Sequence, residues 1–413
     1  MNFWNRKTGT VLVNLALLVI SSGITILGAD LMLRFFVGKS SYYRPHDMSL
    51  DRWPELPLVS RYKKDIDYSG KIYGDLAAHL IGEEYPGEKR HLALKTDSFG
   101  FRNSEEPRNH EPYDLIVLGD SFGAGTGTTQ DRTWVALLQG RYGLKAYNLS
   151  IPGASPWAHY VYLATEIKRL PVHPKSIVLL TIFSGNDLDD YYYGRDVELS
   201  DLPWSSTAKK IGVRFKNFVR RSPIRKLVNK LRYGDTWSRR VLVRDFVDGR
   251  KILFDKFYVT TTQRTKAMIE NHSNYDKLLD ATRKIKQIVD EHNLALVILL
   301  FPSKEEVYEW VLEGSPPWTT DIRPSGLSKA MSNFCGQSNL SFYDLKPSLV
   351  EASEKEIKES GEPIWWHDDT HLNEIGNGIV ADIVYRTLFT SSSIASNKGM
   401  HTDGGSAERH PRR

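Results

Sequence analysis

Apolar and polar positions divide the chain into distinct regimes. From Thr8 to Ala29 no side chain is charged, and the run VLVNLALLVISSGITILG is long and apolar enough to cross a hydrocarbon layer of about 30 Å as a helix. From Lys39 to Pro112 the sequence is polar, rich in Tyr and Pro and weakly periodic, which predicts a stalk or cap against a larger domain. Between Tyr113 and Phe183 the period switches repeatedly. LIVLGD, KAYNLSIPG and SIVLLTIFSGND read as apolar strands closed by turn formers, whereas DRTWVALLQGRYG and PWAHYVYLATEIKRL read as amphipathic helices. The pattern breaks after Asp190. It resumes with LALVILLF (Leu294 to Phe301), SNLSFYDL and an amphipathic helix that starts near Asn373.

Strand, helix, strand repetition predicts a three-layer α/β/α fold around a central, mainly parallel sheet, in addition to an N-terminal transmembrane helix. The boundaries follow from the same pattern: a cytoplasmic N-terminus at 1–7, a transmembrane anchor at 8–29, a juxtamembrane stalk or cap at 30–112, an α/β domain at 113–390 and a disordered tail at 391–413. An insertion at about 189–273 interrupts the α/β domain. Active sites in such sheets lie at the carboxyl ends of the strands.

Charge adds orientation. Arg6 and Lys7 precede the apolar run, which favours a cytoplasmic N-terminus and places the remaining chain on the outer side of a cytoplasmic membrane. Cleavage as a signal peptide is the competing reading, but Leu27-Gly28-Ala29 is a poor cleavage site and the run is long for one. The net charge of +5 is modest and unevenly placed, since Lys209 to Lys251 holds fifteen Lys and Arg against three Asp. This stretch reads as a basic helix on anionic headgroups, a contact for an acidic polysaccharide or partner, or a solvated face. A domain outside the cytoplasm meets no nucleic acid. The single cysteine, Cys335, excludes an intramolecular disulfide and argues against a zinc-cysteine site.

The candidate chemistry sits where the first apolar strand stops. Gly119-Asp120-Ser121-Phe122-Gly123 is a cluster of turn formers, and a hydroxyl at such a corner projects from the sheet edge. A serine is a poor nucleophile at neutral pH and needs a base and a set of donors for the oxyanion. His371 stands three residues after Asp368, a spacing that brings a carboxylate to one ring nitrogen in a turn or helix start. Gly153 and Asn186 each follow a strand and join the Ser121 N–H as candidate oxyanion donors. Lys304 and Tyr308, in the segment PSKEEVY, are further candidates for holding a substrate.

Competing motifs are weaker. Gly119-x-Ser121-x-Gly123 imitates a nucleophile elbow, but here the acid and base share one turn and the serine follows the first recognisable strand. His367-Asp368-Asp369-Thr370-His371 imitates a zinc spacing, yet it precedes the helical pattern and lacks an evident third ligand. The glycines at 123, 125 and 127 lack the Lys-Ser/Thr ending of a phosphate loop. No cofactor or metal is expected.

GDSF (Gly119 to Phe122), NLSIPG (Asn148 to Gly153), SGND (Ser184 to Asp187) and DDTH (Asp368 to His371) occur in this order, and with them the chain resembles the GDSL-type, or SGNH, hydrolase superfamily. The resemblance covers Tyr113 to about Phe389 apart from the insertion, and departs from the commonest pattern in Phe122, where Leu is usual. It implies a Ser121, His371, Asp368 triad, an oxyanion hole from Ser121, Gly153 and Asn186, and action on an ester. The anchor, the DSFGFRN segment and PSKEEVY also resemble membrane-tethered members of bacterial cell-surface polysaccharide systems, some of which transfer acetyl groups to sugars while others remove them. The implied function is an inner-membrane, extracytoplasmic esterase or acyltransferase on O-acyl groups of an envelope glycan, the latter with a membrane partner as acyl donor. A non-catalytic glycan-binding or assembly subunit is the alternative.

Overall fold

The computed structural model describes residues 3–37, 50–53, 59–77, 87–104, 111–189, 240–247, 249–315 and 322–390, together with Ile211, Ser222, Ile224 and Val228. The apolar run lies within one helix, α1 (Phe3–Val37), whose stretch Val13–Leu33 has a mean hydropathy of 2.0 and enough length to cross a membrane. Asp30 on this helix is buried and accepts hydrogen bonds from Ser222 Oγ and Ile224 N. Segments 38–49, 54–58, 78–86 and 105–110 of the expected stalk, most of the basic stretch from Lys209, and the tail at 391–413 lie outside the described residues.

Two antiparallel pairs precede the sheet, β1 (Leu50–Arg52) with β2 (Ser60–Tyr62) and β3 (Asp67–Ile72) with β4 (Arg90–Lys95). The DSFGFRN segment that follows is a clamp. Asp97 accepts hydrogen bonds from Phe99 N, Phe101 N and Tyr147 Oη at 2.9, 3.0 and 2.6 Å. Arg102 is buried and spends its guanidinium on the carbonyls of Ala124, Gly125 and Thr128 and on Gln130 Oε1. A buried guanidinium must find acceptors, and the glycine-rich loop after Ser121 supplies them.

The sheet proper consists of β5 (Tyr113–Leu118), β6 (Ala146–Asn148), β7 (Val172–Phe183), β10 (Ala295–Phe301) and β11 (Ser341–Asp344), all parallel in the order β11-β10-β7-β5-β6. Numbered among themselves, these strands run 2-1-3-4-5, the doubly wound order of flavodoxin-like sheets. The expected three-layer α/β/α arrangement follows from the pleat. Ile116, Leu118, Val178, Leu180, Ile298 and Leu300 point into one core with α3 (Pro156–Glu166), α6 (Tyr275–Glu291) and α9 (Gly326–Gln337). Leu115, Val117, Leu179, Val297 and Leu299 point into the other with α2 (Trp134–Tyr142), α10 (Lys346–Ser360) and α11 (Glu374–Tyr385).

Local chemistry sets the helix ends. Thr133 and Ser155 cap α2 and α3 by accepting the N–H of Ala136 and Ala158, and Pro156 occupies the first turn of α3. Asn373 caps α11 by accepting the Gly376 N–H at 2.9 Å, which fixes the chain just after His371. The far end of the expected insertion is built into the fold. β8 (Val241–Asp245) pairs with β9 (Lys251–Asp255), the short helices α4 (Lys256–Thr262) and α5 (Lys266–Glu270) follow, and Ile252, Leu253 and Phe254 are fully buried. Two short helices, α7 (Lys304–Val307) and α8 (Glu309–Glu313), leave the carboxyl end of β10.

Candidate active site

Ser121 follows β5, Gly153 lies beyond β6 and Asn186 follows β7. Because β5 lies between β6 and β7 in the sheet, the loops bearing Gly153 and Asn186 leave the strands on either side of the one bearing Ser121. The order of the sheet reverses between β5 and β7, and such a switch point opens a crevice at the carboxyl edge. Gly153 has φ +68°, and a Cβ there would meet no atom within 4 Å. A left-handed backbone therefore calls for glycine there, rather than close packing. Gly123 is the opposite case, since a Cβ would lie 2.3 Å from Ser150 Oγ.

His371 completes the constellation. Its Nε2 is 2.8 Å from Ser121 Oγ and its Nδ1 is 2.6 Å from a carboxylate oxygen of Asp369. With Nδ1–H donating to that carboxylate, Nε2 presents its lone pair to the serine hydroxyl. His371 and Asp369 are nearly inaccessible, and Ser121 is half-buried. The Phe122 ring, stacked on Phe183 at 4.0 Å, lies 5.2 Å from the imidazole and forms an apolar wall. Asp120 accepts the Phe122 N–H at 2.8 Å and lies 3.3 Å from Ser121 Oγ through its second oxygen. Burial pushes the Asp120 carboxyl up, opposed by main-chain hydrogen bonds from Phe122 and Ser121.

The carboxylate on the ring nitrogen belongs to Asp369, where the sequence spacing pointed to Asp368. The reason is local. Residues 366–371 form a closed turn rather than a helical start, with Trp366 N donating to His371 O at 3.2 Å and Trp365 bridged to Leu372. In that turn Asp369 Oδ1 accepts both the His371 N–H at 3.1 Å and the ring nitrogen, as an Asx turn does. Asp368 instead accepts the N–H groups of Gly74 and Glu88 at 2.9 and 2.8 Å and one arm of Arg90 at 2.9 Å. Burial pushes the Asp368 carboxyl up, Arg90 opposes this, and Asp369 adds to it.

Arg90 was not legible as a site residue. Its other arm reaches Asp369 Oδ2 at 2.6 Å, its Nε donates to Gly127 O at 3.2 Å, and its guanidinium stacks on Trp366 at 4.2 Å. Asp75 holds the same turn, taking the Thr370 N–H and hydroxyl at 2.8 and 2.6 Å. Both lie in the expected stalk or cap, so this region builds the site's foundation. Alternating RHLALK predicts a strand, but nothing local indicates its partner 278 residues away.

Among the described residues, Asp75, Asp369 and His371 have donor atoms within 4.8 Å of one another, a grouping that could in principle hold a cation. Asp369 Oδ1 and His371 Nδ1 are already bonded to each other and the two Asp75 oxygens accept from Thr370, while His367 Nδ1 lies 3.1 Å from the Lys251 carbonyl. Lys304 and Tyr308, the candidate substrate groups, are fully buried beneath the His371 turn. Beside Lys304, burial raises the Glu305 carboxyl to about 7, with the Lys304 charge opposing. Its ordinary value is 4.5, so between the two the folded state binds the extra proton and stability falls as pH rises. Urea midpoints should therefore drop from pH 5 to pH 7.5, and Glu305→Gln should flatten that drop; an unchanged slope would refute the assignment.

No protein-family model and no curated protein matches the chain. Solved structures similar to it include lipolytic proteins and esterases. A member of the lipolytic G-D-S-L family from Veillonella parvula is 11% identical over 67% of this chain and 97% of that one, with a TM-score of 0.35. An acetyl xylan esterase, AlAXEase, is 13% identical over 66% and 98%, with a TM-score of 0.34. The psychrotrophic esterase EstA from Pseudoalteromonas is 11% identical over 67% and 97%, with a TM-score of 0.33.

Proposed function

We propose that this protein is a membrane-anchored, extracytoplasmic serine esterase or O-acyltransferase acting on O-acyl groups, most simply acetyl, of a cell-envelope glycan. The observation that carries the reading is the continuous array Ser121 Oγ, His371 Nε2, His371 Nδ1 and Asp369 Oδ1, with links of 2.8 and 2.6 Å, at the switch point of a doubly wound sheet. The apolar helix α1 supports the anchor. The DSFGFRN and PSKEEVY segments, which resemble those of membrane-tethered polysaccharide enzymes, support the glycan.

In the reaction, Nε2 takes the hydroxyl proton as Oγ bonds to the acyl carbon, and the carbonyl electron pair moves onto oxygen. Asp369 holds the Nδ1–H and stabilises the imidazolium. The oxyanion is received by the Gly153 N–H, the Asn186 amide and the Ser121 N–H, the last released from Asp120. As the intermediate collapses, the sugar oxygen leaves with the proton from Nε2, and the acyl group stays on Ser121. Water or a second sugar hydroxyl then gives its proton to Nε2 and attacks the acyl-enzyme, and Oγ departs to recover its proton. Water makes an esterase. A sugar acceptor makes an acyltransferase, whose donor would come from a membrane partner.

The test is mass spectrometry of the full-length protein in detergent after brief exposure to p-nitrophenyl acetate. An acetyl adduct on Ser121, absent in His371→Ala, is expected, and adding sugar acceptors then reports whether acyl moves to sugar or water. Folded protein with neither adduct nor turnover would favour the glycan-binding subunit.

A further inference from the structure

PSKEEVY leaves β10 at the same carboxyl edge as Ser121 and is built to grip the turn that carries His371. Ser303 and Glu306 form a reciprocal cap, with Ser303 N donating to Glu306 Oε2 at 2.8 Å and Glu306 N to Ser303 Oγ at 3.2 Å. Tyr308 Oη accepts the Ile364 N–H at 2.9 Å. Lys304, with 0% exposure, donates to the carbonyls of Trp366 at 2.8 Å, His367 at 3.3 Å and Asp369 at 2.8 Å. An ammonium has three N–H groups, and here all three end on one turn.

We propose that Lys304 is a positioning residue for the reaction, its ammonium drawing three main-chain carbonyls together so that the turn delivers Asp369 to His371. The inference rests on the serine-hydrolase reading above. Three carbonyl oxygens facing one point repel each other unless a cation sits among them, and no neutral side chain of this length replaces all three bonds. The Asp369 carbonyl is bound by Lys304 while the Asp369 carboxylate is bound by Arg90, so one residue is held at both its main chain and its side chain. Burial lowers the Lys304 ammonium to about 8, opposed by the carboxylates of Glu305, Asp369, Asp75 and Asp368. Arginine is no substitute. Its planar fork aims at acceptors lying in a plane, whereas these three surround a tetrahedral nitrogen.

The experiment compares full-length wild type, Lys304→Met and Lys304→Gln in detergent, each shown to be folded by near-UV circular dichroism. The first reading is kcat and KM on a short-chain p-nitrophenyl ester. The second is the low-field proton resonance of the His371 Nδ1–H, identified by its absence in His371→Ala. Misplacement of catalytic groups by about 1 Å costs about 10²-fold, so kcat should fall by about 10²-fold with KM little changed, and the resonance should vanish or move upfield. Folded variants with wild-type kcat and an unmoved resonance would overturn the proposal. If Lys304→Met is insoluble, Lys304→Gln decides by the same readings, and failure of both to fold would replace positioning by a purely structural role. Should wild type turn over no ester, the resonance still judges Lys304 while the enzyme reading falls.

Discussion

Alanine at Ser121 is expected to reduce ester turnover by about 10⁴ to 10⁶-fold, alanine at His371 by a similar factor, and the double variant by no more than either. The reason is that in the proposed mechanism both residues act as one proton-transfer unit, and their side chains are joined at 2.8 Å. Once the nucleophile is gone, the base has nothing to activate, and what remains comes from binding and from the oxyanion donors. Ser121→Ala removes only an oxygen from a half-buried side chain, so thermal stability should hardly change. Steady-state kinetics on a p-nitrophenyl ester with matched melting curves provide the check. Turnover within tenfold of wild type in Ser121→Ala would mean that the hydrolysis arises elsewhere.

The second large effect separates two neighbouring aspartates. Asp369→Asn should lower kcat by about 10⁴-fold, because an amide in place of the carboxylate offers an N–H to the ring and favours the wrong imidazole tautomer. It also removes the charge that Arg90 meets at 2.6 Å. Asp368→Asn should leave kcat within about tenfold of wild type and instead cost about 1–3 kcal/mol of stability, the range for a buried hydrogen-bonded group whose partners are left poorly satisfied. Its partners are the N–H groups of Gly74 and Glu88 and the Arg90 guanidinium, none of which touches His371 in the structure. Measuring kcat and urea midpoints for both variants decides the matter. If Asp368→Asn were the inactive one, Asp369 would not be the acid.

The two aspartates also show where sequence stops. Alternation of apolar strands and amphipathic helices was enough for a three-layer, mainly parallel α/β fold, since each strand's buried faces and each helix's stripe are local properties of period. Turn chemistry pointed to Ser121, because a strand that ends in Gly-Asp-Ser-Phe-Gly can present its next side chain at the sheet edge, and the structure sets that hydroxyl beside His371. His371 was legible from its spacing three residues after a carboxylate and from its place in the DDTH block, just before a helical pattern begins.

Which carboxylate meets that histidine was settled elsewhere in the chain. A turn has no period, so the directions of Asp368 and Asp369 depend on what grips them, and the grips come from Gly74, Asp75, Glu88 and Arg90 on one side and Lys304 on the other. Arg90 and Asp368 are 278 residues apart, and pairing over that distance leaves no trace in composition or spacing. From the sequence, Lys304 reads as a packing or surface residue, with holding a substrate as the functional alternative, because a lysine after a strand end is normally exposed. Only in the folded molecule do three carbonyls converge on its nitrogen, and a buried cation stays where acceptors of that number and geometry compensate for lost water.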